Sequence, residues 1–97
     1  MLIEWSQNAL NELSDIFAYF LSIEEEEQGK DIVSKLIKSV TQLKSYPHSG
    51  RPGSLEGTRE IVIRKLPYVL VYEVSSEAVM ILHIYHTSRD FPALVLK

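Results

Sequence analysis

The apolar residues of this chain repeat with two different periods, and the change falls at a single loop. Leu10, Leu13, Ile16, Phe17, Phe20 and Leu21 recur at the spacing of one helix face, while Asn8, Glu12 and Asp15 fall largely on the other side. Ser6 stands just before them and offers an N-cap. A helix over about residues 7–22 is expected. Ile32, Val33, Leu36, Ile37, Val40 and Leu43 form a second stripe, with Lys30, Lys35, Lys38 and Lys44 between or beside its members. This predicts a helix from about residue 25 to 45. The acidic run Glu24 to Glu27 suits its first turn, where carboxylates face unpaired N–H groups, and Gly29 weakens its start. Pro47 sets the stop. Two long helices joined this closely suggest an antiparallel hairpin.

Residues 47–58 are the loop, holding three of the four glycines and two of the four prolines. Beyond it the pattern is extended. Arg59 to Lys65 reads as a strand in which Ile61 and Ile63 face away from Glu60, Val62 and Arg64. Pro67 marks a turn or strand edge. Tyr68 to Val74, rich in β-branched and aromatic residues, is a second strand, and Ala78 to Tyr85 or His86 is a third. Leu2 to Trp5 is a short extended run that adds a further strand. The expected fold is α+β: an N-terminal helical hairpin packed on a small, mainly antiparallel sheet of about four strands. The loop is not read as a domain boundary, because the helices need a surface on which to bury their stripes. Residues 1–97 are expected to form one domain. One sheet face should take the hairpin, and the other should be more open and carry polar groups.

Composition narrows the function classes. The chain has no cysteine, so it has no disulfide, thiolate ligand or thiol nucleophile. It has no signal-like N-terminus and no apolar stretch long enough to span a bilayer, which points to a cytoplasmic home. The net charge of -3 argues against a non-specific nucleic-acid binder. Positive charge is nevertheless uneven. Residues 1–46 carry eight acidic and four basic side chains, whereas residues 47–97 carry five and six. A local positive face could therefore meet a polyanion.

Arg59, Arg64, Lys65 and Arg89 are candidates for such a face, since a guanidinium makes paired bonds to phosphate or carboxylate. Alternation sets Arg59 and Lys65 opposite Arg64, so one shared site does not follow; solvated strand ends with local salt bridges fit equally. His83 and His86 could transfer protons, but a spacing of three points them to opposite sheet faces. His83 lies in an apolar run and reads as a packed histidine. His86, at the strand end beside Thr87, Ser88 and Arg89, is the functional candidate. Tyr72 and Tyr85 read as core aromatics with hydroxyls reaching the rim. No serine sits in a nucleophile motif, and Gly50, Gly53 and Gly57 do not have phosphate-loop spacing.

The segments Gly57-Thr58-Arg59-Glu60, Pro67 through Val74 and Ile81 through Asp90 carry a family resemblance. Taken with Trp5 and Ala9 at the first helix, and Pro47 to Arg51 after the second, the chain resembles the RelE/ParE toxin superfamily of type II toxin–antitoxin systems over residues 2–92. The resemblance implies a helical hairpin against an antiparallel sheet, no metal and no cofactor, and a small antitoxin partner that covers the toxin. It leaves two targets. RelE-like members cut messenger RNA on the ribosome, and ParE-like members act on DNA gyrase.

Metal-free RNA cleavage needs activation of a 2′-OH, charge stabilisation at phosphate and protonation of the leaving oxygen. The RelE pattern places an arginine after the aromatic of the middle strand; Val69 stands there in this chain. Its late tyrosine is absent from the stretch occupied by His86, Arg89 and Phe91. Arg51 is the only positive charge between Pro47 and Thr58, where RelE has lysines. The ending His86 to Pro92 is closer to ParE sequences. The ParE branch is therefore expected: a gyrase poison with no catalytic residue of its own. Arg59, Arg64, His86 and Arg89 are the target-binding candidates, and Phe91, Leu94 and Leu96 are possible antitoxin contacts. The competing expectations are a ribosome-dependent ribonuclease and an antitoxin-binding module without toxicity.

Overall fold

In a computed structural model of the chain, residues 1–63 and 66–87 are described. Strand β1 (Leu2–Trp5) leads directly into helix α1 (Gln7–Ser22), and Ser6 makes the junction. Its hydroxyl accepts from the Ala9 N–H at 3.0 Å and donates to the Leu82 carbonyl at 2.8 Å. One side chain thus caps the helix and ties it to the sheet. Helix α1 ends in a left-handed turn at Glu24, where φ is 58°. The Glu25 N–H reaches back to the Phe20 carbonyl at 2.8 Å and the Glu24 N–H to that of Leu21 at 3.1 Å, the bond pair that closes many helices. Helix α2 (Glu26–Gln42) then runs back along α1. Glu26 and Glu27 fill its first turn, and Lys30 pairs with Glu26 at 3.2 Å. The two helices meet closely at Gly29, where an added methyl would lie 2.8 Å from the Phe20 Cβ.

The remaining strands are β2 (Arg51–Pro52), β3 (Thr58–Val62), β4 (Tyr68–Val74) and β5 (Ala78–His86). They form one five-stranded sheet in the order β1-β5-β4-β3-β2. The pairs β2–β3, β3–β4 and β4–β5 are antiparallel, while β1 lies parallel to β5 with Leu2 opposite Ala78 and Trp5 opposite Ile81. The helical hairpin on a mainly antiparallel sheet is as expected. The additional strand is β2, two residues inside the segment read from sequence as loop. Its pairing comes from the tight return through Gly57, at φ 82°, which brings Arg51 opposite Glu60.

The main core lies between the hairpin and the sheet. Leu36, Val40 and Leu43 from the α2 end meet Leu70, Tyr72, Val79 and Ile81, all fully buried or nearly so. Strand β4 is buried on both faces: Tyr68, Leu70 and Tyr72 join this core, whereas Val69 and Val71 pack with Tyr85 and Leu82 on the other face. Strand β5 holds a one-residue bulge. Tyr72 stands opposite Ile81 and Val71 opposite His83, so Leu82 has no partner. Among the described residues, no helix is long and apolar enough to cross a membrane.

Candidate functional site

Three groups of polar residues are fixed by this architecture. The first braces the segment after α2. Tyr72 is buried with its ring in the core, and its hydroxyl donates to the Pro47 carbonyl and accepts from the Gly50 N–H, each at 2.9 Å. Arg59 belongs to the same brace. Its guanidinium donates to the Gly50 carbonyl at 2.9 Å and the His48 carbonyl at 3.3 Å. A predicted target-binding residue therefore spends two of its donors holding the 48–50 backbone in place.

The second group lies on the sheet face opposite the helices. Register places Glu60, Val71 and His83 side by side across β3, β4 and β5, with Val62, Val69 and Tyr85 in the next row. Glu60 is only 5% exposed. One of its oxygens accepts from Arg51 Nε at 3.2 Å and Nη2 at 3.1 Å, and the other from the Ser54 N–H at 3.3 Å. The carboxylate is thus neutralised and bonded on both oxygens, while Arg51 remains largely exposed. Burial pushes the Tyr85 phenol up to about 12, and the negative charge of Glu60 adds to the shift against a smaller opposing effect of Arg51. At neutral pH this tyrosine is a proton donor and not a phenolate. The centre of the face is aliphatic, because Val69 and Val71 occupy it.

The third group closes the edge of β5. Strand β1 pairs with β5 only as far as Ile81. Beyond that point α1 supplies the missing partners: Ser6 for the Ile81 and Leu82 carbonyls, and Glu12 for the Ile84 N–H at 2.9 Å. The second Glu12 oxygen lies 3.3 Å from His83 Nδ1. Below this edge is a cleft of about 510 Å³ between α1, the start of α2 and the adjoining ends of β4 and β5. His86 lines it, with its ring edge-to-face against Tyr68 at a centroid distance of 5.4 Å.

The described candidates are therefore apart. Arg59 stands opposite Tyr72 and His86 opposite Tyr68. Those β4 positions are separated by roughly 13 Å along the strand, in addition to the lateral offset. Arg64, Arg89, Phe91, Leu94 and Leu96 lie outside the described residues. Reading residues singly overlooked the Arg51–Glu60 pair and the Glu12 contact. A charged residue within an otherwise apolar strand marks Glu60. Glu12 carries no such mark, because its partner is a backbone N–H far along the chain.

The sequence pattern of the ParE toxin family, of the parDE type II toxin–antitoxin system, matches residues 3–91. A protein described as a toxin, Y4kP of Sinorhizobium fredii, is 33% identical over 93 residues, covering 96% of this chain and 95% of that protein. Among solved structures, the chromosomal ParDE system of P. aeruginosa superposes with a TM-score of 0.82 at 21% identity, covering 91% of this chain and 97% of the other. The E. coli RelBE toxin–antitoxin complex superposes with a TM-score of 0.68 at 18% identity, covering 91% and 98%. The two structural likenesses concern the fold; with the match that runs almost from end to end, the chain belongs to the ParE toxin family of type II toxin–antitoxin systems.

Proposed function

We propose that this chain acts in the cytoplasm as a poison of DNA gyrase, blocks replication, and is neutralised by a cognate antitoxin. The observation that carries this reading is the make-up of the sheet face opposite the helices. Val69 and Val71 fill its centre, and Glu60 is bonded on both oxygens by Arg51 and Ser54. Among the described residues, this face offers no free carboxylate base and no central cation for a scissile phosphate. That make-up speaks against bond cleavage and so favours a poison that acts by binding. The family membership and the solved ParDE and RelBE assemblies of similar fold support an antitoxin partner. Purified chain is expected to inhibit gyrase supercoiling and to accumulate cleaved DNA. Well-folded protein that leaves supercoiling unchanged overturns the reading.

One observation favours a second reading, a ribosome-dependent ribonuclease. His83 and Tyr85 follow Glu60 on the same face, and the three are acid–base residue types. On this reading, messenger RNA on translating ribosomes is cut, and His83→Ala or Tyr85→Phe stops the cutting. The gyrase reading predicts intact messenger RNA in the same assay.

A further inference from the structure

We propose that the outer face of the helical hairpin, the side turned away from the sheet, is a contact between two copies of this chain. This goes beyond the proposed function and does not depend on it. The core uses one stripe of each helix, through Phe20 on α1 and Leu36 on α2. A second apolar stripe lies beside it on the outer side. It holds Leu10, Phe17 and Leu21 on α1 and Val33 and Ile37 on α2, at helical spacing. The two parts adjoin, because the Phe17 ring lies 3.2 Å from where a Cβ on Gly29 would stand. Leu10, Leu21 and Ile37 are 44–45% exposed, and Phe17 and Val33 are half-buried. Single exposed leucines are ordinary, but five apolar side chains along one groove form a patch.

The charges around the α2 part say what covers it. Along the same stripe, Glu26 comes one heptad before Val33, and Lys44 follows one heptad after Ile37. The pairs Val33–Ile37 and Glu26–Lys44 are both centred on residue 35. A two-fold axis at that level lays α2 antiparallel on its copy. It sets Val33 against the partner's Ile37 and Glu26 against the partner's Lys44, and each pair occurs twice. Lys30 takes one oxygen of Glu26, while Lys44 is exposed and, among the described residues, has no ion pair. The charge that each copy leaves unmatched is thus met by the other. Two helices of 16 and 17 residues side by side present roughly 500 Å². A pair of such faces buries about 1,000 Å² in total, the small end of specific contacts, so the dimer forms reversibly. In it the two hairpins lie between the two sheets, and the sheet faces that carry Glu60 and Arg51 point outward on both sides.

The test is sedimentation equilibrium of the full chain at low salt, from about 1 to 300 µM protein. The mass is expected to rise from that of a monomer toward twice that value. Ile37→Glu, at an exposed position, is expected to keep the fold by circular dichroism and to stay monomeric throughout. Lys44→Glu and Glu26→Lys are each expected to weaken the dimer at least about fivefold, since each sets like charges together twice. An equimolar mixture of these two variants is expected to regain wild-type association, because both cross-pairs then have opposite signs. A wild-type chain that stays monomeric, a dimer that Ile37→Glu leaves intact, or a mixture that associates no better than its components overturns the proposal. If the wild type is monomeric and Ile37→Glu blocks copurification with the product of the adjacent reading frame, the patch belongs to that partner and the proposal falls.

Discussion

At residue scale, the side chains that matter most are those whose polar ends reach another segment. Removing the hydroxyl in Tyr72→Phe leaves the buried Gly50 N–H without its acceptor, which costs about 1–3 kcal/mol. Urea denaturation should show that loss with an unchanged slope. Gly50→Ala should be at least as damaging, because the new methyl would lie 2.6 Å from the same hydroxyl and 2.8 Å from the Glu60 carbonyl. Tyr85 gives a pH signature. Its phenol holds its proton more tightly in the folded chain than in the unfolded one, whose value is near 10. Its contribution is complete below about pH 10 and is lost as the pH rises toward 12, because only the unfolded chain releases the proton in that window. The stability difference between wild type and Tyr85→Phe should therefore be flat from pH 7 to about 9 and shrink above that, as denaturation at stepped pH would reveal.

At the scale of elements, periodicity made α1, β4 and β5 legible almost to the residue, since each buries a regular face. Helix α2 stops at Gln42, before the end set by Pro47, as the backbone passes through tighter turn bonds from Leu43 to Ser45. Strand β2 was hidden because two exposed residues carry no alternation and pair only through the fold of the loop. The acidic run read as a helix start is divided between two tasks. Glu26 and Glu27 serve the α2 dipole, whereas Glu24 turns the chain with a positive φ that a side chain tolerates poorly. Glu24→Gly should raise stability by up to about 1 kcal/mol, and Glu24→Val should lower it, both measurable by thermal melts. The clasp between α1 and β5 predicts an order as well. Glu12→Gln keeps an acceptor for the Ile84 N–H, so it should cost less than Glu12→Ala, which leaves that donor unpaired at about 1–3 kcal/mol. The candidate site was less legible than the elements. Arg59 and His86 could be named from their surroundings in sequence, but the bonds from Arg59 to the 48–50 backbone depend on a loop path that no local pattern specifies.

At the scale of the whole molecule, the two ends of the described chain are stitched together, with β1 lying parallel to β5. Ile3 and Trp5 pack on the main core from that strand. Removal of residues 1–5 should cost more than about 3 kcal/mol and leave a broad, weakly cooperative melt, since two large apolar side chains and a strand partner are lost together. Strand β5 also keeps two separate tallies of inside and outside. Before Leu82 the odd-numbered Val79 and Ile81 look toward the helices; after it the even-numbered Ile84 does, with His86 beside Tyr68. The supernumerary residue acts as a frame shift written into the sheet. A ladder that kept every residue but lost the bulge would restore one parity throughout, turning Ile84 out of the core and His83 into it. What Leu82 marks is a break in alternation, a quantity invisible to any scale of hydrophobicity or propensity.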